Sequence, residues 1–324
     1  MKTVLMSVLC ALALAASAVA DPGELFPGAT SSHSRPDPRP TPPVESFPAI
    51  ARPTPAQIGT ATQLARKTIT DFAAKNKLHL TEIPTDHFLL FSDCGRENDH
   101  IAHTLETTYA SLTAALGIAP SDSVFLGRLP VVVLAHQAAL RPYADRDGVS
   151  LADGAIGYST DATDNPFAHI VMARALPTDA EEAEAFTKAW SSALSRELTR
   201  AILLRHRTAR PLPTWLTAGL AEHAAPTPLS PEDAAKPRPE LKSLLSPPAI
   251  SPEHAPACGT FIDLLLARDP KAFAEFVRAL KTGTPLATAF DRCLKLDAPK
   301  LEALWKAAPP AATATPTTAP GSAG

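Results

Sequence analysis

The sequence predicts an α+β fold in which a small mixed sheet with packed helices precedes an all-helical half. Short apolar runs typical of strands occur between residues 87 and 172, whereas none follows Pro177. About 250 residues lie between a Pro-rich start and a Pro- and Ala-rich end, which is enough for one domain with two subregions. We therefore place an α/β subregion at residues 58–178 and a helical subregion at residues 179–307.

The first twenty residues have the pattern of a secretion signal peptide. Lys2 gives a positive start, residues 4–16 are mostly apolar, and Ala18 and Ala20 form the small-x-small pattern that signal peptidase accepts. Cleavage after Ala20 predicts a secreted or periplasmic protein. No later apolar stretch reaches the roughly 18 to 20 residues that a membrane-spanning helix needs, so we predict no membrane span.

Both ends of the mature chain contain too few large apolar residues to form a core. Residues 21–57 are Pro-rich, as in the run Arg-Pro-Asp-Pro-Arg-Pro-Thr-Pro-Pro at residues 35–43. This composition predicts a semi-extended or disordered linker. Residues 308–324 have the same character and are predicted to be a disordered tail.

The α/β subregion is predicted to contain four short strands and a long helix. A strand at residues 87–91 precedes a helix at residues 101–116, in which apolar residues recur every three or four positions. A second strand covers residues 130–134. Residues 154–159 and 168–172, each bounded by Asp, Asn, Pro or Gly, are predicted to be the third and fourth strands.

The helical subregion is predicted to begin with a helix at residues 179–207. Its buried stripe consists of Phe186, Trp190, Ala193 or Leu194, Leu198 and Ile202. The next helix starts at Thr214, which is predicted to cap it. Residues 226–256 are Pro-rich and are predicted to be a surface excursion with a short helix at residues 240–245. The remaining predicted helices cover residues 259–268, 270–280 and 285–294, and a last one ends near Trp305.

The charge balance argues against nucleic acid as a partner. Removal of Lys2 with the signal peptide leaves 29 of the 30 Lys and Arg residues against 33 Asp and Glu residues, a net charge of −4. Nucleic acids and anionic membrane surfaces bind proteins that carry a basic field, and this composition lacks one.

The cysteines of the mature chain do not indicate a function. Cys94, Cys258 and Cys293 remain after signal cleavage, so at most one intramolecular disulfide can form. Cys293 shares an apolar stripe with Phe290 and is equally well interpreted as a small buried hydrophobic residue. The pairing of the three therefore stays open.

Three charged residues lie on or beside the apolar stripe of the first long helix. Glu197 is within the stripe, and Arg196 and Arg200 flank it one turn apart. An ionised side chain is costly to bury unless it is paired or hydrated. We therefore predict that this part of the helix faces either a salt-bridge network or a cleft.

The segment Ser-Arg-Glu-Leu-Thr-Arg-Ala at residues 195–201 resembles the His-Glu-x-x-His helix of gluzincin-type zinc peptidases, in particular the exported peptidase MA-like group. In that group a proline-led turn and a segment Trp-Leu-x-Glu-Gly-x-Ala-Glu-Tyr follow the helix. Residues 213–223, Pro-Thr-Trp-Leu-Thr-Ala-Gly-Leu-Ala-Glu-His, are similar, and 17 residues separate Arg200 from Ala218. The resemblance covers residues 85–307 and implies a thermolysin-like fold.

The resemblance also implies a zinc site whose ligands this chain lacks. Arg196 and Arg200 stand where the family has its two histidines, and Ala218 stands where it has a glutamate. A guanidinium group offers no lone pair to a metal. Glu197 matches the general base, but without zinc the pKa of the attacking water is not lowered. We therefore predict no zinc cofactor, no metal ligands, and Glu197 as an inactive relic of the base.

Other histidines and acids do not restore the predicted site. His206 lies about 280° around the helix from Arg196 and is predicted to point elsewhere. Glu222 and His223 lie one turn past Ala218 and are candidates for the same cleft, but two donors from one helix end make an incomplete site. His136 and His169, at or near strand ends, are interpreted as ordinary hydrogen-bonded residues.

The charged cluster itself has two interpretations. In the first, Glu197 and Arg200 form an internal salt bridge that fills the space of the absent metal. In the second, Arg196 and Arg200 form an anion site that takes a peptide carboxylate. The sequence does not distinguish between them.

The sequence therefore predicts an exported, catalytically inactive metallopeptidase-like protein, a pseudoenzyme that binds a peptide or protein ligand or acts as a scaffold. One alternative is an active metalloendopeptidase or aminopeptidase-like hydrolase that uses Glu197 with an unconventional metal site or without metal. Another is an envelope adaptor in which the Pro-rich linker acts as a spacer. The ligand and the oligomeric state stay open.

Overall fold

The structure is a computed structural model of the 324-residue chain. It describes residues 54–119, 122, 124–125, 127–151, 155–160, 169–176, 179–208, 210–225, 238–245 and 254–307. The predicted signal peptide and tail lie outside these residues. So do the predicted linker up to residue 53 and most of the predicted surface excursion.

The described residues form a mixed α+β fold in which a small sheet and its helices precede a helical half. The strands are β1 (Thr81–Pro84), β2 (Phe88–Ser92), β3 (Leu129–Leu134), β4 (Gly157–Ser159) and β5 (Ile170–Ala173). The longer helices are α1 (Pro55–Lys75), α2 (Asn98–Ala115), α3 (Leu140–Asp147), α4 (Ala180–Arg205), α5 (Thr214–Ala224), α7 (Ala255–Arg268), α8 (Pro270–Lys281) and α10 (Ala298–Ala307). Two short helices are α6 (Leu241–Leu245) and α9 (Leu286–Ala289), and α9 continues as a π-helical turn through Phe290–Leu294. The predicted order of strands and helices and the predicted mixed sheet are confirmed.

The sheet is mixed, with the strand order β1-β2-β3-β5-β4. β2, β3 and β5 are parallel, and the two outer strands β1 and β4 run antiparallel to their neighbours. β4 is therefore an edge strand of this sheet, and the helical half packs beside it.

Alternation along the strands divides the core into two parts. In β3, Val131 and Val133 face the larger core, which contains α2, α4 and the later helices. Val132 and Leu134 face a smaller core formed with α1 and α3. Side chains of neighbouring residues in one strand thus reach opposite faces of the sheet. This alternation determines which polar residues can meet α4.

The helices α1 and α3 and the strand β1 were not predicted. α1 begins with a capping box, in which Thr54 Oγ1 accepts a hydrogen bond from the Gln57 backbone N–H and the Gln57 side chain bonds the Thr54 backbone N–H. Its buried residues are mostly alanines, which give a weak apolar pattern. The helix starts at Pro55, three residues before the domain boundary predicted at residue 58.

Three local predictions in the helical half differ from the structure. Thr214 does not cap α5, because Pro213 occupies the cap position and no side chain bonds the helix end there. The predicted surface excursion contains α6, but Leu241, Leu244 and Leu245 are buried in the larger core. The helix predicted from residue 259 begins four residues earlier, at Ala255, with Pro256 in its first turn.

Cys94, Cys258 and Cys293 are all free thiols. Burial raises the pKa of Cys258 to about 12, with a further contribution from Glu222. None of the helices in the described ranges is long and apolar enough to cross a membrane.

Candidate functional site

Helix α4 carries the predicted site. It begins where Asp179 Oδ1 accepts hydrogen bonds from the backbone N–H groups of Glu181 and Glu182, both at 3.0 Å. Its buried residues recur every four positions and anchor one stripe against the core: Trp190, Leu194, Leu198 and Ile202. Phe186, predicted to be buried, is only partly so. Arg196, Glu197 and Arg200 lie beside this stripe.

Glu197 accepts two hydrogen bonds on the same carboxylate oxygen. Ser159 Oγ of β4 donates to Glu197 Oε2 at 2.7 Å, and Arg200 Nη1 donates to it at 3.0 Å. The Glu197 side chain is 15% exposed and the Arg200 side chain 49%. The salt bridge that the first interpretation of the cluster predicts is therefore present, and a hydroxyl from the sheet edge completes it.

Arg196 is held much more loosely. Its Nη1 atom lies 3.8 Å from Glu222 Oε1 of α5, which is too long for a hydrogen bond. The Arg196 side chain is 46% exposed, whereas Glu222 is 4% exposed. The acid thus lies beneath the surface and the guanidinium group lies on it.

Ala218 lies one turn before Glu222 on α5 and packs against the larger core. Ser195 Oγ donates to the Ala221 carbonyl at 3.0 Å, so α4 and α5 meet at this level. The loop between these helices is short, and α5 returns alongside α4. In an antiparallel pair of helices, Ala218, one turn before Glu222, is expected near the level of Arg200, one turn after Arg196.

The other two histidines considered for the site lie apart from it. His223 Nδ1 is 2.6 Å from Asp263 Oδ1 of α7. His206 is buried after the end of α4, and burial together with Arg207, Lys281 and Arg278 lowers its pKa to about 4. Of the two residues predicted to approach the cleft from α5, only Glu222 contacts an arginine of α4.

Within the described residues, no group of three or more His, Cys, Asp or Glu side chains is arranged to hold a metal ion. Around Arg196 and Arg200 the carboxylates available as metal donors are those of Glu197 and Glu222, and a guanidinium group lies beside each. A dication would be repelled by both arginines. The residues present therefore do not fit the zinc ion that the family resemblance implies.

Ser159 is the residue of this site that the sequence reasoning missed. The strand around it was predicted, and alternation along β4 could have shown that Ser159 and Tyr158 face opposite sides of the sheet. Nothing in the local sequence indicates that α4, 38 residues later, brings Glu197 against that hydroxyl. The contact is set by tertiary packing.

A second polar network lies on the opposite face of β4. Tyr158 Oη donates to Asp147 Oδ2 at 2.7 Å, and His169 Nε2 lies 2.7 Å from the same oxygen. Arg146 Nε donates to Asp147 Oδ1 at 2.7 Å. A small pocket of about 120 Å³ borders Arg146, Asp147 and His169, away from Glu197. His169 is thus hydrogen-bonded, as predicted.

Burial acts to raise the pKa of Asp147, but the hydrogen bonds from His169, Arg146 and Tyr158 outweigh it. The pKa of Asp147 is therefore well below its ordinary value. Burial and the bond to Asp147 both raise the pKa of Tyr158. Asp147 is accordingly ionised and Tyr158 neutral at neutral pH, and the carboxylate of Asp147 is the centre of this hydrogen-bond network.

Comparison of the chain with protein-family models, curated proteins and solved structures found no match. The function is therefore inferred from the geometry of the site and from the resemblance in sequence.

Proposed function

We propose that the protein is an exported pseudoenzyme with a gluzincin-like fold, which binds a peptide or protein ligand at the surface formed by α4, α5 and β4 without hydrolysing it. The observation that carries this proposal is the Ser159–Glu197–Arg200 network, in which the residue matching the general base is held by two donors.

Both donors bond the same oxygen of Glu197. A carboxylate that activates water must be open to that water, whereas Glu197 Oε2 already accepts hydrogen bonds from Ser159 and Arg200. The flanking positions supply positive charge in place of the neutral imidazoles that hold a catalytic zinc. This arrangement favours binding over catalysis.

The edge strand β4 supplies a second feature suited to a peptide. The backbone N–H of Thr160 donates to His169 O at 3.0 Å and that of Ala173 to Ile156 O at 2.7 Å. In an antiparallel pair with this register, Tyr158 also directs its backbone groups toward β5, whereas Gly157 and Ser159 direct theirs toward the outer side. An extended peptide pairs with groups of this kind by adding a strand.

A peptide library tests the proposal, with binding and cleavage measured on the same purified protein. We expect saturable binding and no cleavage, with or without added zinc. Chelator-sensitive cleavage that is lost in a folded Glu197→Gln variant would instead support an active hydrolase. A protein that neither binds nor cleaves peptides would exclude both functions.

A further inference from the structure

Arg196 and Arg200 have more hydrogen-bond donors than their contacts use. A guanidinium group carries five N–H donors. Arg200 gives one hydrogen bond to Glu197, and within the described residues Arg196 makes the 3.8 Å ion pair with Glu222. Both side chains are about half exposed, so donors that these contacts do not use are accessible at the surface.

The acids that balance these two charges lie deeper than the arginines do. Glu222 is buried and Glu197 nearly so, while the guanidinium groups lie on the surface above them. The formal charge of the four side chains is zero, but the surface that a ligand meets is positive and rich in donors. Such a surface is complementary to a carboxylate, which accepts bidentate hydrogen bonds from arginine.

We infer that Arg196 and Arg200 together bind a carboxylate of the peptide ligand, an inference that rests on the proposed peptide-binding function. The two residues are one turn apart on α4, about 6 Å along the axis, so one carboxylate between them can accept from both. Ser159, which donates a hydrogen bond to Glu197, is the last residue of the edge strand β4. The carboxylate is either the C-terminus of the peptide or an Asp or Glu side chain.

The experiment compares peptides that are identical except for the carboxylate. A pool of short peptides is prepared with free C-termini, with amidated C-termini, and with amidated C-termini plus one Glu side chain. Affinities are measured by fluorescence polarisation for the wild type, Arg196→Gln, Arg200→Gln and the double variant. Arg268→Gln, at an exposed arginine on α7, is the matched control.

We expect a carboxylate form to bind at least about tenfold more tightly than the plain amide, as one charge-assisted hydrogen bond provides. That preference should disappear in the double variant and persist in Arg268→Gln. Tight binding of the free terminus or of the Glu peptide identifies the source of the carboxylate.

Three results would overturn the inference. Equal binding of all three peptide forms leaves the proposed peptide binding in place but removes the carboxylate site. A preference that persists in the double variant places the carboxylate elsewhere. Absence of binding by every form overturns the inference and the proposed function together.

Discussion

Two polar networks lie on opposite faces of β4, and they differ in how far their arginines are exposed to solvent, at 22% for Arg146 and 49% for Arg200. Ser159 reaches Glu197 and Arg200 on one face, while its neighbour Tyr158 reaches the network of Asp147 on the other. Asp147 has three charged or polar partners, and its side chain is 10% exposed. The Glu197 network ends in Arg200, whose side chain is 49% exposed.

The difference teaches that similar residue types serve different purposes at different depths. A buried ion pair that loses one partner leaves the other uncompensated in a medium of low dielectric constant. An exposed pair contributes little to stability because water replaces the missing partner. The Asp147 network should therefore stabilise the fold, whereas the Glu197 network is free to serve a ligand.

The largest expected effect is from Asp147→Ala. This change leaves Arg146 and the Tyr158 hydroxyl without their buried acceptor, so we expect the free energy of unfolding to fall by about 3–5 kcal/mol. Urea unfolding followed by circular dichroism measures it. Arg200→Ala serves as the comparison from the other network and should cost less than about 1 kcal/mol. Equal losses in the two variants would contradict the contrast between the networks.

Lys281, a buried residue outside both networks, tests whether burial of a charged group affects the free energy of unfolding. Lys281 Nζ of α8 donates to the carbonyls of Thr208 at 2.9 Å and Arg210 at 2.7 Å, in the loop between α4 and α5. Burial lowers the pKa of Lys281 to about 7 from 10.5.

Because the folded protein releases this proton at a lower pH than the unfolded chain does, the burial penalty is complete below pH 7 and is relieved as the pH rises toward 10.5. Wild-type stability should therefore rise over that range relative to Lys281→Met. Unfolding curves at pH 6.5, 8 and 9.5 provide the comparison, and a constant difference between the two proteins would show that Lys281 does not titrate in this way.

Ser159→Ala and Tyr158→Phe form a matched pair on one strand. Each removes one hydroxyl that donates to a carboxylate, and each should lower the free energy of unfolding by about 1 kcal/mol. Only Ser159→Ala is expected to change peptide affinity, because Glu197 and Arg200 would lose their fixed position. Thermal unfolding and fluorescence polarisation give the two readouts, and equal effects on affinity would show that the two faces are not independent.

The smallest expected change in stability is from Arg196→Gln. The ion pair with Glu222 spans 3.8 Å and the arginine is half exposed, so the free energy of unfolding should change by less than about 0.5 kcal/mol. A larger loss would make Arg196 a structural residue and would weaken its assignment to a ligand.

Local patterns in the sequence predicted much of the fold. The four-residue spacing in α4 and the apolar run of β3 are strong local signals, and both elements were found within two residues of their predicted ends. The Glu197–Arg200 salt bridge was also predictable from the sequence, because it joins residues three apart on one helix.

The parts that the sequence did not predict depend on contacts between distant residues. Ser159 reaches Glu197 across 38 positions, and Asp147 meets His169 across 22. In α1, buried alanines replace the large apolar residues that make a helix easy to recognise, although Thr54 and Gln57 carried a capping signal. Pairings of this kind follow from the sheet register and not from any segment alone.

Metal content tests the central proposal most directly. The proposal is that Arg196, Arg200 and Ala218 form part of a peptide-binding surface at the positions where a gluzincin would bind zinc. The wild type and the triple variant Arg196→His, Arg200→His, Ala218→Glu are dialysed against zinc, and bound metal is measured by elemental analysis. We expect no stoichiometric zinc in the wild type and stoichiometric zinc in the folded triple variant, which regains three donors at the matching positions. Stoichiometric zinc in the wild type would contradict the proposal, and a folded triple variant without zinc would contradict the correspondence of these positions with a zinc site.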